Sequence, residues 1–136
     1  MKKGILLAAL CLLTASVGCA KRGPATARTL NRVHFDLESA SIGPDMFPVM
    51  KANSSYLKKH KINRIVVEGH CDERGTNEFN LALGDERANA AKDYLASQGF
   101  DGDSIRTVSY GEERPVDLGH DEAAWYMNRR AEFLRQ

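Results

Sequence analysis

The feature that most constrains this chain is an amphipathic helix predicted over residues 77–98. Between residues 80 and 95, apolar side chains recur at helical spacing, and they place residues such as Leu83 on one face. Arg87 falls near the middle of that apolar face, and Asn80 lies on the same face two turns earlier. Because burying an unpaired charge is costly, a core-facing guanidinium requires a partner. That partner is either a carboxylate of the chain or an anion from outside.

The segment before this helix predicts a pocket for a charged ligand. It reads HCDERGTNEFN and directly follows a β-branched run, INRIVVEGH. A loop that leads from a strand into a helix N-terminus exposes backbone N–H donors at the positive end of the helix dipole. Asp72 adds a negative charge there, so Asp72 and Arg87 together would complement a zwitterion, with ammonium at Asp72 and carboxylate at Arg87. The alternative is an internal Asp72–Arg87 salt bridge with a purely structural role.

The order of elements predicts an α/β two-layer sandwich, with one sheet and helices packed mainly on one face. The second strand is rich in β-branched residues and is expected at the centre of the sheet. The pattern β-α-β-α-β-(α)-β is read from four strands at residues 31–37, 62–70, 105–111 and 129–135, and from helices at 45–61, 77–98 and 121–128.

Residues 1–18 are predicted to be the signal peptide of a lipoprotein. Lys2 and Lys3 precede an apolar run without charge that is too short for a comfortable transmembrane helix. Gly18 and Cys19 resemble the end of a bacterial lipobox, which makes Cys19 the predicted site of lipidation. Ser16 stands where that motif usually has leucine, so a plain secretory cleavage is the alternative.

The residues after Cys19 predict a flexible tether and the membrane in which the protein is anchored. Residues 19–29 are rich in small and polar residues without a period and read as a flexible linker, which leaves residues 30–136 as one domain. In bacterial lipoproteins an aspartate after the lipidated cysteine commonly signals retention in the inner membrane. Ala20 stands there instead, which favours the outer membrane, with the domain facing the periplasm.

Charge and residue spacing argue against several classes of function. Without Lys2 and Lys3, 17 of the 19 basic residues face 18 acidic ones, a balance of −1 that offers no basic surplus for nucleic acid. The histidines and cysteines have no metal-ligand spacing, and no cofactor motif appears. Cys71 lies between His70 and Asp72, and alternation along a strand would point it away from both, so a thiol enzyme is not expected.

Four segments resemble the OmpA-like domain family, and the resemblance covers about residues 30–136. They are, in order, VHFD, VEGHCDERGTNEFNLALGDERA, TVSYGEERPV and NRRAEF. The resemblance implies a lipid-anchored domain that binds peptidoglycan non-covalently, at the meso-diaminopimelate of the stem peptide. It also implies a place in the Tol–Pal system of envelope integrity and cell division, with TolB as periplasmic partner. One departure lies within the motif, since Cys71 stands where the family commonly has threonine.

The resemblance also assigns roles to particular residues. It implies that Asp72 and Arg87 grip the zwitterionic end of the diaminopimelate side chain. Arg129 would support this region. The remaining expected site residues are those that line the pocket or shape its rim: Asn80, Leu83, Phe35, Asp36, Gly75 and Thr76. If the salt-bridge alternative holds instead, the protein would be a protein-interaction scaffold.

Overall fold

Four strands form one mixed sheet in a computed structural model that describes residues 30–136. The strands are β1 (Val33–His34), β2 (Ile65–His70), β3 (Ile105–Gly111) and β4 (Arg130–Arg135). The helices are α1 (Phe47–Lys59), α2 (Asn77–Ser97) and α3 (Glu122–Asn128), with a 3₁₀ turn at Gly102–Ser104. The sheet order is β1-β4-β2-β3, so β2 is central as expected. Strand β2 runs parallel to β3 and antiparallel to β4, and β1 pairs antiparallel with β4. The prediction of an α/β sandwich is confirmed.

Helix α2 lies against β2 and β3 at very short range because two glycines face each other. A Cβ atom built on Gly69 would lie 1.7 Å from the carbonyl oxygen of Gly84. This distance is far too short, so no residue with a side chain fits at position 69. Ser109 Oγ on β3 also donates a hydrogen bond to the carbonyl of Leu81 on α2, at 2.6 Å. This contact fixes the height of α2 above the sheet, and it therefore fixes where the side chains of the next turn, including Arg87, are placed.

The core fills the space between the sheet and helices α1 and α2. Its members alternate along the strands and recur at helical spacing along the helices, as expected for a half-buried sheet covered on one face. Fully buried apolar side chains include Val33, Met50, Leu57, Ile65, Val67, Ala88, Ala91 and Leu95. Within residues 30–136, no helix is long and apolar enough to cross a membrane.

The first strand is shorter than the predicted 31–37. The backbone of Phe35 still bonds to Arg129, but the carbonyls of Asp36 and Ser39 turn towards Arg87 instead of continuing a ladder. Between them, Glu38 has a φ of 52°, in the left-handed region that turns the chain. The predicted signal peptide, Cys19 and the linker lie outside the described residues and stay predictions, as does the boundary at residue 30.

Candidate ligand-binding site

The loop between β2 and α2 is shaped by the residues that begin the helix. Gly75 adopts a φ of 97°, which favours glycine because a side chain would be strained there. Thr76 is the N-cap residue, and its Oγ1 accepts a hydrogen bond from the backbone N–H of Phe79 at 3.2 Å. Asn80 ties the loop back to the helix, since its Nδ2 donates to the carbonyls of Asp72 and Arg74 at 3.2 and 3.0 Å.

Arg87 is fully buried, as its place on the apolar face of α2 predicts, with 0% of its surface exposed. Its guanidinium donates to three backbone carbonyls: Nε to Ser39 at 2.8 Å, Nη1 to His70 at 2.9 Å and Nη2 to Asp36 at 3.0 Å. The ring of Phe35 lies 5.2 Å from its Cζ. Arg87 therefore holds the β1–α1 loop against the end of β2.

Backbone carbonyls, and no carboxylate, accept hydrogen bonds from this buried charge. Within residues 30–136 no ion pair joins Arg87 to an acidic side chain. Burial lowers the pKa of Arg87, and the nearby Cys71 thiol and Asp72 carboxylate oppose that shift. Because a guanidinium has five N–H donors and stays charged in proteins, the three carbonyls leave it both positive and able to donate further.

Asp72 is also buried, with 4% of its surface exposed, but its charge is fully engaged. Its Oδ1 accepts from the backbone N and the Nε of Arg74 at 3.0 and 3.2 Å, and its Oδ2 accepts from Arg74 Nη2 at 2.8 Å. Arg129 Nη1 donates to the same Oδ2 at 3.2 Å. Burial alone would raise the pKa of Asp72, but the hydrogen bonds from Arg74 and Arg129 outweigh it and hold the pKa below its usual value.

The alternative of an internal Asp72–Arg87 salt bridge is wrong. Asp72 pairs with Arg74 and Arg129, whereas Arg87 bonds to carbonyls. The two charges nevertheless line one cavity of about 20 Å³, room for little more than a water molecule. The residues that line it are Leu37, Glu38, Cys71, Asp72, Arg74, Phe79, Asn80, Leu83, Arg87 and Arg129.

The structure sorts the expected site residues into two groups. Asp72, Asn80, Leu83, Arg87 and Arg129 line the cavity. The other four do not line it. Phe35 and Asp36 support Arg129 and Arg87 through their backbone carbonyls, and Gly75 and Thr76 are exposed residues just before α2.

Five cavity residues were absent from the sequence prediction: Leu37, Glu38, Cys71, Arg74 and Phe79. Arg74 had a signal in the sequence, since it lies two residues after Asp72 in a tight loop, where its side chain can fold back. Leu37 and Phe79 are about half exposed and had none, because an exposed apolar residue in a loop or first helical turn is common.

Cys71 does not follow the strand alternation that was expected of it. Strand β2 ends at His70, and both Cys71 and Asp72 line the cavity. The Cys71 Sγ donates to the carbonyl of Asn80 at 3.2 Å, and burial raises the pKa of this thiol to about 11. The reactive thiolate is therefore disfavoured at neutral pH. Within the described part of the chain, no three His, Cys, Asp or Glu side chains are placed to hold a metal ion.

Comparison with known proteins assigns the family. The model of the OmpA family matches residues 34–129. The chain is 48% identical over 101 residues to the peptidoglycan-associated lipoprotein of Haemophilus influenzae, across 74% of this chain and 66% of that protein. It is 46% identical over 117 residues to the protein of the same name from Mesorhizobium japonicum, across 84% of this chain and 70% of that one.

A solved structure agrees. The peptidoglycan-associated lipoprotein of Burkholderia pseudomallei superimposes with a TM-score of 0.72 at 43% identity, covering 77% of this chain and 89% of that one. The chain therefore belongs to the OmpA family and, within it, to the peptidoglycan-associated lipoproteins. It spans about two thirds of the length of the first curated relative, at 66%.

Proposed function

We propose that this domain binds peptidoglycan non-covalently by holding the free end of meso-diaminopimelate between Asp72 and Arg87. The observation that carries the proposal is Arg87: a guanidinium with 0% of its surface exposed, lining a cavity, without an acidic partner within residues 30–136. A charge buried this deeply is costly unless something neutralises it. A ligand carboxylate would supply the missing negative charge through charge-assisted hydrogen bonds.

The ligand end has the matching chemistry. The side chain of meso-diaminopimelate ends in one carbon that carries both an ammonium and a carboxylate. A carboxylate on Arg87 places the ammonium on the side of Asp72, which lines the same cavity. Leu83 and Asn80, both on α2, line the same cavity, where they can contact the aliphatic stem and the polar end.

The names of the relatives support a wider role at the cell envelope. We propose that Cys19 carries lipid, that the protein is anchored in the outer membrane, and that the domain attaches this membrane to the cell wall. We further propose that it acts in the Tol–Pal system in envelope integrity and division, with TolB as partner. If TolB covers the same cavity, TolB and peptidoglycan will compete, and a pulldown with both present tests this.

The binding proposal is tested by calorimetry with two ligands on the whole protein in mild detergent. One muropeptide carries meso-diaminopimelate, and the other carries lysine, which keeps the amine and lacks the distal carboxylate. We expect the lysine ligand to bind about tenfold more weakly or worse, since it loses a charge-assisted contact with Arg87. This comparison leaves Arg87 in place, which matters because its removal would also orphan three carbonyls.

A protein variant completes the test. Asp72→Ala is expected to abolish binding and retention on isolated sacculi, whereas Asp93→Ala, at an exposed position of α2, retains both. Circular dichroism confirms that each variant is folded. Equal binding of the two muropeptides, or no retention of the folded parent, would reject the proposal and favour a protein-interaction scaffold.

A further inference from the structure

We propose that Arg74 occupies, in the free protein, the place that the ligand's ammonium takes in the complex, and that Asp72 and the ring of Trp125 together form the cation-binding half of the site. The inference rests on the proposed function and adds two residues to it. Neither Arg74 nor Trp125 belongs to the residues that the sequence assigned to ligand binding.

Asp72 has no acceptor position left for a ligand while Arg74 is in place. A carboxylate offers about four lone-pair directions. Arg74 takes three of them through its backbone N, Nε and Nη2, and Arg129 Nη1 takes the fourth. An incoming ammonium can therefore reach Asp72 only by replacing one of these donors.

Of the two arginines, Arg74 is the one that can leave. Arg129 has 3% of its surface exposed and is also held by the carbonyl of Phe35, at 2.9 Å, and by Glu122. The Arg74 side chain is one third exposed, at 33%, and its further ion pair with Glu122 is long, at 3.8 Å. Moving Arg74 into solvent thus breaks few bonds, and water replaces them.

The guanidinium of Arg74 also contacts a second cation-binding surface, the ring of Trp125. Its Cζ lies 4.1 Å from the centre of the Trp125 ring, within the range of a cation–π contact. The ring is held in that position because Trp125 Nε1 donates to Glu73 at 2.9 Å, and Glu73 in turn lies 2.7 Å from His120 Nδ1. A cation placed between Asp72 and this ring is therefore contacted from two sides.

The position of Arg74 in the cavity supports the same movement. While Arg74 is in place, the cavity of about 20 Å³ holds little more than a water molecule beside Asp72. Arg74 lines the cavity and, after Glu38, is the most exposed of the charged residues that do so. When Arg74 swings outward, the cavity opens next to Asp72 and leaves Arg87 and Asn80 in place.

The test has the design of a double-mutant cycle, with one change in the protein and one change in the ligand. Calorimetry compares the parent with Arg74→Gln, each with a stem peptide that carries meso-diaminopimelate and with one that carries 2-aminopimelate, which lacks only the distal amine. In the parent, Arg74 stays on Asp72 when the amine is missing, so we expect a loss of only about threefold. In Arg74→Gln nothing replaces the amine, so we expect a loss of about tenfold or more, together with tighter binding of the complete ligand.

Two further measurements sharpen the result. Trp125 is the one tryptophan of the chain, so its fluorescence should change when the complete ligand displaces Arg74 and change little with the 2-aminopimelate peptide. Trp125→Leu should weaken the complete ligand by about two- to fivefold, as expected for a lost cation–π contact, while Trp125→Phe retains most of the affinity. Arg114→Gln is the matched control, because Arg114 is likewise exposed and lies over a ring, that of Tyr110, at 3.6 Å.

The outcomes separate this inference from the proposed function. If the missing amine costs the same factor in both proteins, Arg74 does not occupy the ammonium's place and the inference falls, while the site between Asp72 and Arg87 stands. Weaker binding of both ligands by folded Arg74→Gln would make Arg74 a direct ligand contact and would also overturn it. If the folded parent binds neither peptide, the proposed function and this inference fail together.

Discussion

Two groups of buried charges lie on opposite faces of β2, and they are neutralised in different ways. On the face away from α1 and α2, Glu132 Oε1 accepts from Arg130 Nε at 2.6 Å and lies 2.9 Å from Arg32 Nε. We call this set, with Glu68 and His70, the outer cluster. On the helix side, the cavity holds Arg87 without an acidic partner within residues 30–136.

The difference separates charges that the chain pairs with one another from a buried charge that has no acidic partner within residues 30–136. In the outer cluster acidic and basic side chains meet one another, so the chain itself supplies both partners. In the cavity, Asp72 is paired with Arg74 and Arg129, but Arg87 donates to backbone carbonyls and has no acidic partner among the described residues. Burial of charge alone therefore does not identify a binding site, and the missing counter-charge of Arg87 is the feature on which the proposed site rests.

The largest expected effect is at the outer cluster. Glu132→Gln keeps the size of the side chain but removes the negative charge beside Arg130 and Arg32, so we expect about 3 kcal/mol lower free energy of unfolding. Urea unfolding followed by circular dichroism measures this. A cost below about 1 kcal/mol would show that the outer cluster does not depend on its own counter-charges, and the comparison would fail.

The second prediction is a pH dependence from His70. Burial, followed by the charge of Arg130, lowers the pKa of His70 from 6.5 to about 4, and neither ring nitrogen has a hydrogen-bond partner among the described residues. The unfolded chain therefore binds a proton at a higher pH than the folded one. The stability that His70 contributes is complete above about pH 6.5 and is lost as the pH falls towards 4, by about 2 to 3 kcal/mol in all.

Urea unfolding at several values between pH 7 and pH 4.5 measures that slope. His70→Gln should flatten it, whereas His60→Gln, at an exposed position, should leave it as in the parent. The slopes are compared rather than the absolute stabilities, because any change at a buried position costs free energy by itself. An unchanged slope in His70→Gln would assign the acid sensitivity to other groups.

The third prediction concerns Asp72, the cavity residue whose charge is neutralised by Arg74 and Arg129. Asp72→Asn should cost only about 1 to 2 kcal/mol of stability, because Arg74 is one third exposed and regains water while Arg129 keeps Glu122. The same variant should bind the diaminopimelate peptide at least about tenfold more weakly. Urea unfolding and calorimetry measure the two effects. A loss of stability equal to that of Glu132→Gln would make Asp72 as structural as the outer cluster.

The smallest effect is expected at the start of α2. Thr76→Ala removes the N-cap bond to the N–H of Phe79 and should lower the free energy of unfolding by about 1 kcal/mol. Thr76→Ser keeps the hydroxyl and should restore most of it. Thermal unfolding of the parent, Thr76→Ala and Thr76→Ser measures these differences in stability. If the alanine variant were as stable as the parent, the loop would be held by its other bonds, such as those of Asn80, without the cap.

Much of the fold follows from periodicity in the sequence. The spacing of apolar residues predicts α2 almost to the residue, and the β-branched run predicts β2 as the central strand. The first strand was predicted too long because Asp36 looks like a strand residue in sequence, while its carbonyl is used by Arg87, 51 positions away. A local pattern carries no information about so distant a donor.

For the candidate site, the sequence determined which charges are present and where they lie on their elements. It places Arg87 on the apolar face of a helix and Asp72 at the end of a central strand, and these facts alone require partners for both. Only the tertiary structure decided which partners they have: carbonyls for Arg87, and Arg74 with Arg129 for Asp72. The physical reason is that pairing depends on distances of about 3 Å between atoms that the chain brings together from far apart, and periodicity cannot specify such distances.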